Sequence, residues 1–450
     1  MKRYINTIIY SGVVSSGLFL IACNGGKQNI AWQNQSSKAS SVNLLNVQQK
    51  TEKLNIKHPF PQSSLISYHL ADGSTVIYPI AKQDSDVTNF YNYWKNSYLA
   101  NAGISDGNTL YRIKFGKSGT NANSTVSEGQ GYGMIITTIM AGYDESAQPI
   151  FDGLFRYVKA HPSHIDNRLM GWKQPINPED NDSAFDGDAD IALALILADQ
   201  QWGSAGSINY LQEAKTIISG IQDSTIGVNS YLPMLGDWVL QNGEPYNQWT
   251  PRPSDFMFDN FRAFAYATNH YDYWNNVINS SHLAIEHIQS RYSVVSGLLP
   301  DFIIGTSFSD FSPAHPYFLE SENDGNYAYN AGRTPWRLGV DALLNQDQYS
   351  LAETRKMSYW IEQAANDNPL QINAGYFLDG SRISDGNYFS SFFAAPFGVA
   401  AMSGGSSQQE WLNAIYNAVV DKHEDYYQDS VTMLSLLIMT GNYWGVNTFQ

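Results

Sequence analysis

The chain has 450 residues, a formal net charge of −16 and an aromatic content of 14%. An acidic surface repels nucleic acid, so the charge excludes nucleic acid as a partner. The single cysteine excludes disulfides and cysteine-based zinc sites.

The N-terminus has the features of an export signal. Lys2 and Arg3 precede an apolar stretch over residues 5–22, and Cys23 follows Leu-Ile-Ala. A charged start, an apolar middle and small residues before a cleavage point are typical of a signal peptide. The four residues Leu-Ile-Ala-Cys over 20–23 resemble the bacterial lipobox. This resemblance predicts a lipoprotein signal peptide over 1–22 and a lipid on Cys23. The alternative is a plain signal peptide with an incidental cysteine. A lipid would anchor an exported protein to the cell envelope, at the outer membrane or cell surface.

The rest of the chain divides into a polar segment and one long helical region. Residues 23–58 are rich in Gln, Asn, Ser and Lys, which predicts a flexible tether. No composition break divides residues 59–450, so they are predicted to form one domain. A short hairpin is predicted within 64–78, around Asp72-Gly73. Elsewhere apolar residues recur mostly at helical spacing. They predict twelve helices near 86–99, 130–142, 151–160, 189–202, 209–222, 256–269, 281–292, 336–345, 351–366, 392–402, 408–421 and 428–440.

Twelve helices without a parallel-sheet pattern predict a large all-α domain. Residues 191–198, 392–402 and 432–439 are apolar around the whole helix, which predicts burial on every side. Residues 223–255 and 297–335 contain no predicted helix. Such long loops in a compact domain usually carry function.

Two acidic motifs lie at predicted helix starts. The first, SEGQGYGM over 127–134, contains Glu128, and the capping-box spacing of Ser127 and Gln130 predicts a helix start there. The second, AFDGDADIA over 184–192, contains Asp186. A carboxylate is favourable at any helix N-terminus, so these positions alone leave a structural and a catalytic role open.

These two motifs and three others occur in an order that resembles glycoside hydrolase family eight, from about residue 90 to the C-terminus. The other three are Gly171–Gln174, Pro253–Phe256 and Tyr329–Arg337. The resemblance implies an inverting hydrolase of β-linked glycans on an (α/α)6 barrel, with six inner helices, six outer helices and long loops around a cleft. Phe185 departs from the family pattern, since many members carry a small hydroxyl residue there.

Inversion requires one protonated and one ionised carboxyl group, roughly 6.5–9.5 Å apart with a water between the second group and the sugar. The resemblance assigns Glu128 as the general acid. Burial beside other carboxylates would raise its pKa, as an acid working near neutral pH needs. Asp186 matches an aspartate that binds the sugar at the cleaved position and helps to distort it.

The catalytic base is the second departure from the family pattern. Asn330 stands where many members carry the base aspartate, and an amide cannot take a proton from water. In the branch that includes chitosanases and lichenases, asparagine also stands here and a loop glutamate upstream is the base. Glu320, ten residues before Asn330, matches that glutamate. Glu322 and Asp324 are rivals, and solvated surface positions are the alternative for all three. Asn330 would then orient the water or a sugar hydroxyl.

Further residues are predicted to bind the substrate. Arg333 is expected near the catalytic centre, holding sugar hydroxyls or a carboxylate, whereas Arg337 is expected to be buried and structural. Aromatic rings stack on sugars, but each ring is almost as well explained by a place in the core. The candidate platforms are Trp172, Tyr329, Tyr132 and Trp238, with Trp249 and Tyr327 as further candidates.

The sequence therefore predicts a monomeric endo-β-glycosidase that hydrolyses β-1,4-linked polysaccharide, either β-1,4-glucan, β-1,3-1,4-glucan or chitosan. The alternative is an inactive or weakly active glycan-binding lipoprotein derived from the same family, which Asn330 would suit if Glu320 is not the base. An endoglucanase of cellulose synthesis usually keeps the aspartate, so Asn330 argues against it. No metal or cofactor is predicted, because the acidic run 182–190 lacks EF-hand spacing and the nine histidines are scattered.

Overall fold

The computed structural model describes residues 56–175, 181–446 and 448. The α-helices in this part of the chain are α1 Asp84–Tyr98, α2 Gly119–Ala122, α3 Ser127–Ile139, α4 Ala147–Ala160, α5 Phe185–Trp202, α6 Tyr210–Ser224, α7 Phe258–Thr268, α8 Tyr271–Arg291, α9 Thr334–Asn345, α10 Gln348–Ala364, α11 Ser391–Ala401, α12 Gln409–Val419 and α13 Tyr426–Met439. Short 3₁₀ helices cover Pro253–Asp255, Ala331–Arg333, Pro369–Gln371, Ser384–Gly386 and Gly405–Gln408. All twelve predicted helices are present, and the single turn α2 is the addition.

Six helices form a closed inner ring. Each packs against the next in the order α3, α5, α7, α9, α11 and α13, and α13 packs against α3. The outer helices α4, α6, α8, α10 and α12 pack on α3, α5, α7, α9 and α11, and α1 packs on α13. This arrangement confirms the predicted (α/α)6 barrel.

Burial explains which helices are inside. Every residue of α11 is buried, and so is every residue from Phe185 to Ala198 in α5. The outer helix α4 is amphipathic instead, because it buries Phe151, Leu154 and Val158 on one face. A helix that is apolar all round is stable only with neighbours on every side, as in the inner ring.

Two glycines let α3 and α5 approach closely at one end of the barrel. A Cβ atom on Gly187 would lie 2.2 Å from Ser127 Oγ, and one on Gly131 would lie 2.6 Å from Asp190 Cβ. Side chains at either position would push the helices apart. The close approach places the N-terminus of α3, with Glu128, beside that of α5, with Asp186.

The strands are short. Strand β1 Leu99–Ser105 pairs antiparallel with β2 Asn108–Ile113, β3 Thr125–Val126 with β4 Lys173–Gln174, and β5 Ile303–Ile304 with β6 Ser312–Pro313. The hairpin predicted within 64–78 is wrong, since this segment contains no strand. Its backbone pairs elsewhere, with the Ile77 N–H donating to the Met402 carbonyl oxygen. The observed hairpin turns at Asp106-Gly107, both with positive φ.

The predicted capping box of α3 is also wrong, although the helix begins where expected. Val126 is the N-cap residue and provides no side-chain cap. The Gln130 side chain points away from the helix start, and its Oε1 accepts a hydrogen bond of 2.7 Å from the Ile113 N–H. Gln130 therefore fastens β2 to α3.

The described chain begins at Ile56, and the backbone N–H of His58 already donates to Gln201 Oε1 at 2.8 Å. The predicted signal peptide, Cys23 and nearly all of the predicted tether lie outside the described residues. Within the described ranges, no helix has the length and apolar character needed to span a bilayer.

Candidate active site

The acidic motifs meet at one end of the barrel, where inner helices begin. Glu128 and Asp186 are the second residues of α3 and α5, and Tyr426 is the first residue of α13. Arg333 immediately precedes α9. Helix N-termini carry a partial positive charge, which favours carboxylates at this end of the ring.

The Arg333 guanidinium joins the two motif carboxylates. Its Nη1 donates to Glu128 Oε2 at 2.9 Å and to Asp186 Oδ2 at 2.7 Å. The Arg333 side chain is 0% exposed, whereas the Glu128 side chain is 16% exposed. Tyr426 OH donates to Glu128 Oε1 at 3.1 Å. Glu128 is therefore held on both oxygens while part of its surface remains open.

The two carboxyl groups have opposite pKa shifts. Burial, reinforced by the nearby Asp186 charge, raises the pKa of Glu128 to about 7 despite the opposing Arg333 charge. Burial also acts to raise the pKa of Asp186, but the Arg252 and Arg333 charges outweigh it and hold that pKa well below its usual range. Pairs of carboxyl groups with separated pKa values indicate an acid and a group that stays ionised.

Asn330 connects this cluster to the loop glutamate. Its Oδ1 accepts hydrogen bonds from Arg333 Nη2 at 3.2 Å and Arg252 Nη1 at 3.3 Å. Guanidinium groups only donate, so these contacts fix the orientation of the amide. The Nδ2 group accordingly faces Glu320 and donates to Oε2 at 2.9 Å. Glu128, Arg333, Asn330 and Glu320 thus form one continuous network.

The structure separates Glu320 from its two rivals. Asp324 is 0% exposed, and both of its carboxylate oxygens accept backbone N–H groups. Glu320 and Glu322 are both exposed, but of the two only Glu320 contacts Asn330. Desolvation raises the pKa of Glu320, against the opposing effects of Arg252 and the Asn330 hydrogen bond. The Arg252 charge and the Asn330 hydrogen bond act to keep the carboxylate ionised.

Four of the predicted platforms differ in exposure. Trp172, Tyr329 and Trp238 are half-buried, so part of each residue is accessible. Trp172 lies beside the acid, because its carbonyl oxygen accepts the Ser127 N–H at 2.9 Å. Tyr132 is 0% exposed, and its ring packs edge-to-face on Trp336. The structure therefore offers no surface of Tyr132 to a sugar.

Arg333 and Tyr327 are buried, whereas Trp249 is half-buried. Arg333 is fully buried, so of its two predicted roles the structure shows the contact with carboxylates. Tyr327 is 0% exposed, and Trp249 packs edge-to-face on Phe308. Arg337 is buried, and its Nη2 pairs with Asp190 Oδ2 at 2.6 Å.

Sequence reasoning missed four residues of the site, namely Arg252, Ser254, Asp255 and Tyr426. Arg252 Nη2 lies 3.2 Å from Asp186 Oδ2, and Arg252 Nε lies 3.0 Å from Asp255 Oδ2. Ser254 Oγ accepts a hydrogen bond of 2.8 Å from Arg333 Nη2. The motif over 253–256 was a signal for Asp255 and Ser254. No local pattern indicates Tyr426.

Hydrolysis of a glycosidic bond needs a protonated carboxyl group and an ionised one in the same cleft. This chain forms a barrel of two helical rings. At one end, a carboxyl group of raised pKa is joined through a guanidinium and an amide to a second carboxylate. These features define a carbohydrate hydrolase.

The chain belongs to the glycosyl hydrolases family 8, whose model matches residues 73–441, and it is therefore a glycoside hydrolase. It is 43% identical over 390 residues to a beta-glucanase of Niallia circulans, covering 86% of this chain and 91% of the relative. It is 37% identical over 423 residues to an endoglucanase of Bacillus sp. strain KSM-330, covering 91% and 87%. It superposes with a TM-score of 0.80 on the apo beta-1,3-1,4-glucanase of Paenibacillus sp. X4, at 41% identity over 87% of this chain and 100% of that one.

Proposed function

We propose that this protein is an inverting endo-β-glucanase that cleaves β-1,4 bonds in β-1,4-glucan or mixed β-1,3-1,4-glucan. The observation that carries the proposal is the network from Glu128 through Arg333 and Asn330 to Glu320. It gives the cleft one carboxyl group suited to donate a proton and one suited to accept a proton.

In the proposed reaction, the Glu128 carboxyl group donates its proton to the glycosidic oxygen as the bond to the anomeric carbon breaks. Glu320 takes a proton from a water that attacks that carbon from the opposite face. The product is the α-anomer. Over the whole cycle, the proton released by the water replaces the one that Glu128 donates. Asp186 stays ionised between two guanidinium groups and is proposed to bind the sugar at the cleaved position.

Asn330 is proposed to orient the base rather than to replace it. Its Nδ2 group donates a hydrogen bond to Glu320 Oε2, and among the described residues no group donates to Oε1. Oε1 is therefore the oxygen available to the attacking water. This contact also supports an active enzyme over the inactive glycan-binding alternative.

The relatives support glucan as the substrate. Their names are those of a beta-glucanase, an endoglucanase and a beta-1,3-1,4-glucanase. Chitosan stays the competing substrate, because its positive charge suits a chain of net charge −16. The half-buried rings of Trp172, Tyr329 and Trp238 are proposed as sugar platforms.

Release of reducing ends from carboxymethylcellulose, barley β-glucan, chitosan and xylan tests the proposal. We expect turnover on the two glucans, and proton NMR of the earliest product should show the α-anomer. Turnover on chitosan alone would refute the proposal that glucan is the substrate. A β-anomer at early times would refute inversion, and inactivity on all four substrates would favour the glycan-binding alternative.

We also propose that Cys23 carries lipid and anchors the enzyme, as a monomer, to the cell envelope. The lipobox-like residues before the only cysteine support this proposal. Cys23→Ser should move the protein to the soluble fraction or block its processing, as shown by fractionation and mass spectrometry. Unchanged membrane association would refute the lipid anchor.

A further inference from the structure

Asp324 holds the backbone of the loop that carries Glu320. Its Oδ2 accepts the N–H groups of Leu319 and Glu320, at 2.7 and 2.9 Å. Its Oδ1 accepts the N–H of Ser321 at 2.8 Å. One buried carboxylate thus ties three successive peptide groups, with the predicted base in the middle.

Asp301 holds the backbone around Asn330 in the same manner. Its Oδ1 accepts three N–H groups, from Ala328 at 3.1 Å, Asn330 at 3.1 Å and Ala331 at 2.6 Å. The Asp301 side chain is buried, with the residue only 3% exposed. Burial, reinforced by the nearby Glu320 charge, raises the pKa of Asp301 to about 8 against the effect of these N–H contacts, so near neutral pH Oδ1 accepts them as part of a mostly protonated carboxyl group.

The two held segments are also joined to each other. The Phe302 N–H donates to the Asp324 carbonyl oxygen at 2.8 Å, and the Asp301 N–H donates to the Asn326 carbonyl oxygen at 2.8 Å. Apolar packing adds to this, since Phe318 lies in a cluster with Phe302. The position of Glu320 relative to Asn330 is therefore set by two buried carboxyl groups on paired backbone segments.

We propose that Asp324 and Asp301 are positioning residues for the catalytic base, fixing Glu320 and Asn330 through the backbone N–H groups that they bind. The proposal rests on the proposed role of Glu320. Neither aspartate touches the substrate. They determine where the Glu320 carboxylate lies and therefore whether it reaches the attacking water.

Asp324 has a second effect on the base. The charged groups that face Glu320 are Arg252, Arg333 and Asp324, and the titratable carboxyl group of Asp301 lies nearby. The Asp324 charge raises the pKa of Glu320. Its removal should lower that pKa, so the base stays ionised to lower pH. In Asp324→Asn, the acidic limb of the kcat/KM profile should accordingly move to lower pH.

Asp324→Ala and Asp324→Asn test the proposal on the full chain, with Glu320→Ala for comparison. Asp310→Asn is the matched control, because Asp310 binds the N–H groups of Thr306 and Ser307 in the same long loop but does not hold the base. Thermal melts establish that each variant is folded. We expect Asp324→Ala to lose about 10²-fold in kcat with little change in KM, as for a catalytic group displaced by about 1 Å. Asp310→Asn should keep the wild-type rate, and Asp301→Ala should also lower kcat.

Azide distinguishes a displaced base from general damage. Azide needs no base to attack the anomeric carbon. It forms an α-glycosyl azide as Glu128 protonates the leaving oxygen. Partial rescue of both Asp324→Ala and Glu320→Ala would support the proposal. Rescue of Glu320→Ala alone, or a kcat for Asp324→Ala close to wild type, would overturn it. If Asp324→Ala does not fold, Asp324→Asn replaces it in the test. A lower kcat in that variant would support the proposal, and an unchanged kcat would overturn it. A fully active Glu320→Ala would refute the proposed function itself.

Discussion

Tyr426→Phe should make the general acid weaker without removing it. Tyr426 is buried, and its hydroxyl donates to Glu128 Oε1 at 3.1 Å. A hydrogen bond to a carboxylate favours the charged form, so this contact lowers the pKa of Glu128. Phenylalanine keeps the ring and removes only the hydroxyl. The pKa of Glu128 should therefore rise in the variant.

The size of the change follows from the contact. A hydrogen bond to a charged group contributes about 1.5–3 kcal/mol, which corresponds to a pKa change of about 1–2. The distance of 3.1 Å is longer than a strong charge-assisted O–H···O⁻ contact, and Arg333 still binds Oε2. We therefore expect a change at or below the lower end of that range, with the pKa of Glu128 rising by about 0.5–1.

The assay is the pH dependence of kcat/KM on barley β-glucan. The acid must be protonated, so activity falls as pH rises through the pKa of Glu128. A higher pKa moves this basic limb to higher pH, by the same amount as the pKa. Tyr98→Phe is the control, because Tyr98 OH binds Asp429 at 2.6 Å, outside the network. A basic limb that stays in place, or moves to lower pH, would refute the role of Tyr426 and the assignment of Glu128.

Glu128→Gln should reduce turnover about 10²–10⁴-fold with the melting temperature unchanged, and more than about a tenth of the wild-type rate would contradict the acid role. Glu320→Ala should be as damaging and should regain turnover with azide, whereas Glu322→Ala should match wild type, because that side chain is exposed and away from Asn330. Asn330→Ala should lose less than Glu320→Ala in steady-state kinetics, since it removes only an orienting contact. Arg337→Ala should cost about 3–5 kcal/mol in unfolding free energy by urea titration, because its buried carboxylate partner is left unpaired. A loss below about 1 kcal/mol would show that the pair is not stabilising.

The helices of the barrel are encoded locally. Apolar periodicity located all twelve long helices, and the three stretches that are apolar all round lie in α5, α11 and α13 of the inner ring. Burial of a helix on every side favours apolar residues all round, so the inner location of these three stretches is visible in the sequence.

The hairpin shows where local signals are insufficient. Asp72-Gly73 and Asp106-Gly107 carry the same turn dipeptide, and the sequence pointed to the first. Only the second joins two strands, because the segment after the first donates its Ile77 N–H to Met402 instead. A dipeptide favours a turn, but the availability of a pairing partner decides whether strands form beside it.

The motifs alone placed Glu128 and Asp186 at helix starts, and the resemblance to the family branch pointed to Glu320. The tertiary structure decided their chemical surroundings. Arg333 lies 205 positions from Glu128 and 147 from Asp186, yet one of its nitrogens contacts both. Tyr426 reaches Glu128 across 298 positions. Electrostatic interaction depends on distance in space and on the surrounding dielectric, and neither quantity is expressed in residue spacing. The sequence therefore determined which residues carry carboxyl groups, and only the closed ring decided which of them shares a guanidinium, loses solvent and keeps its proton.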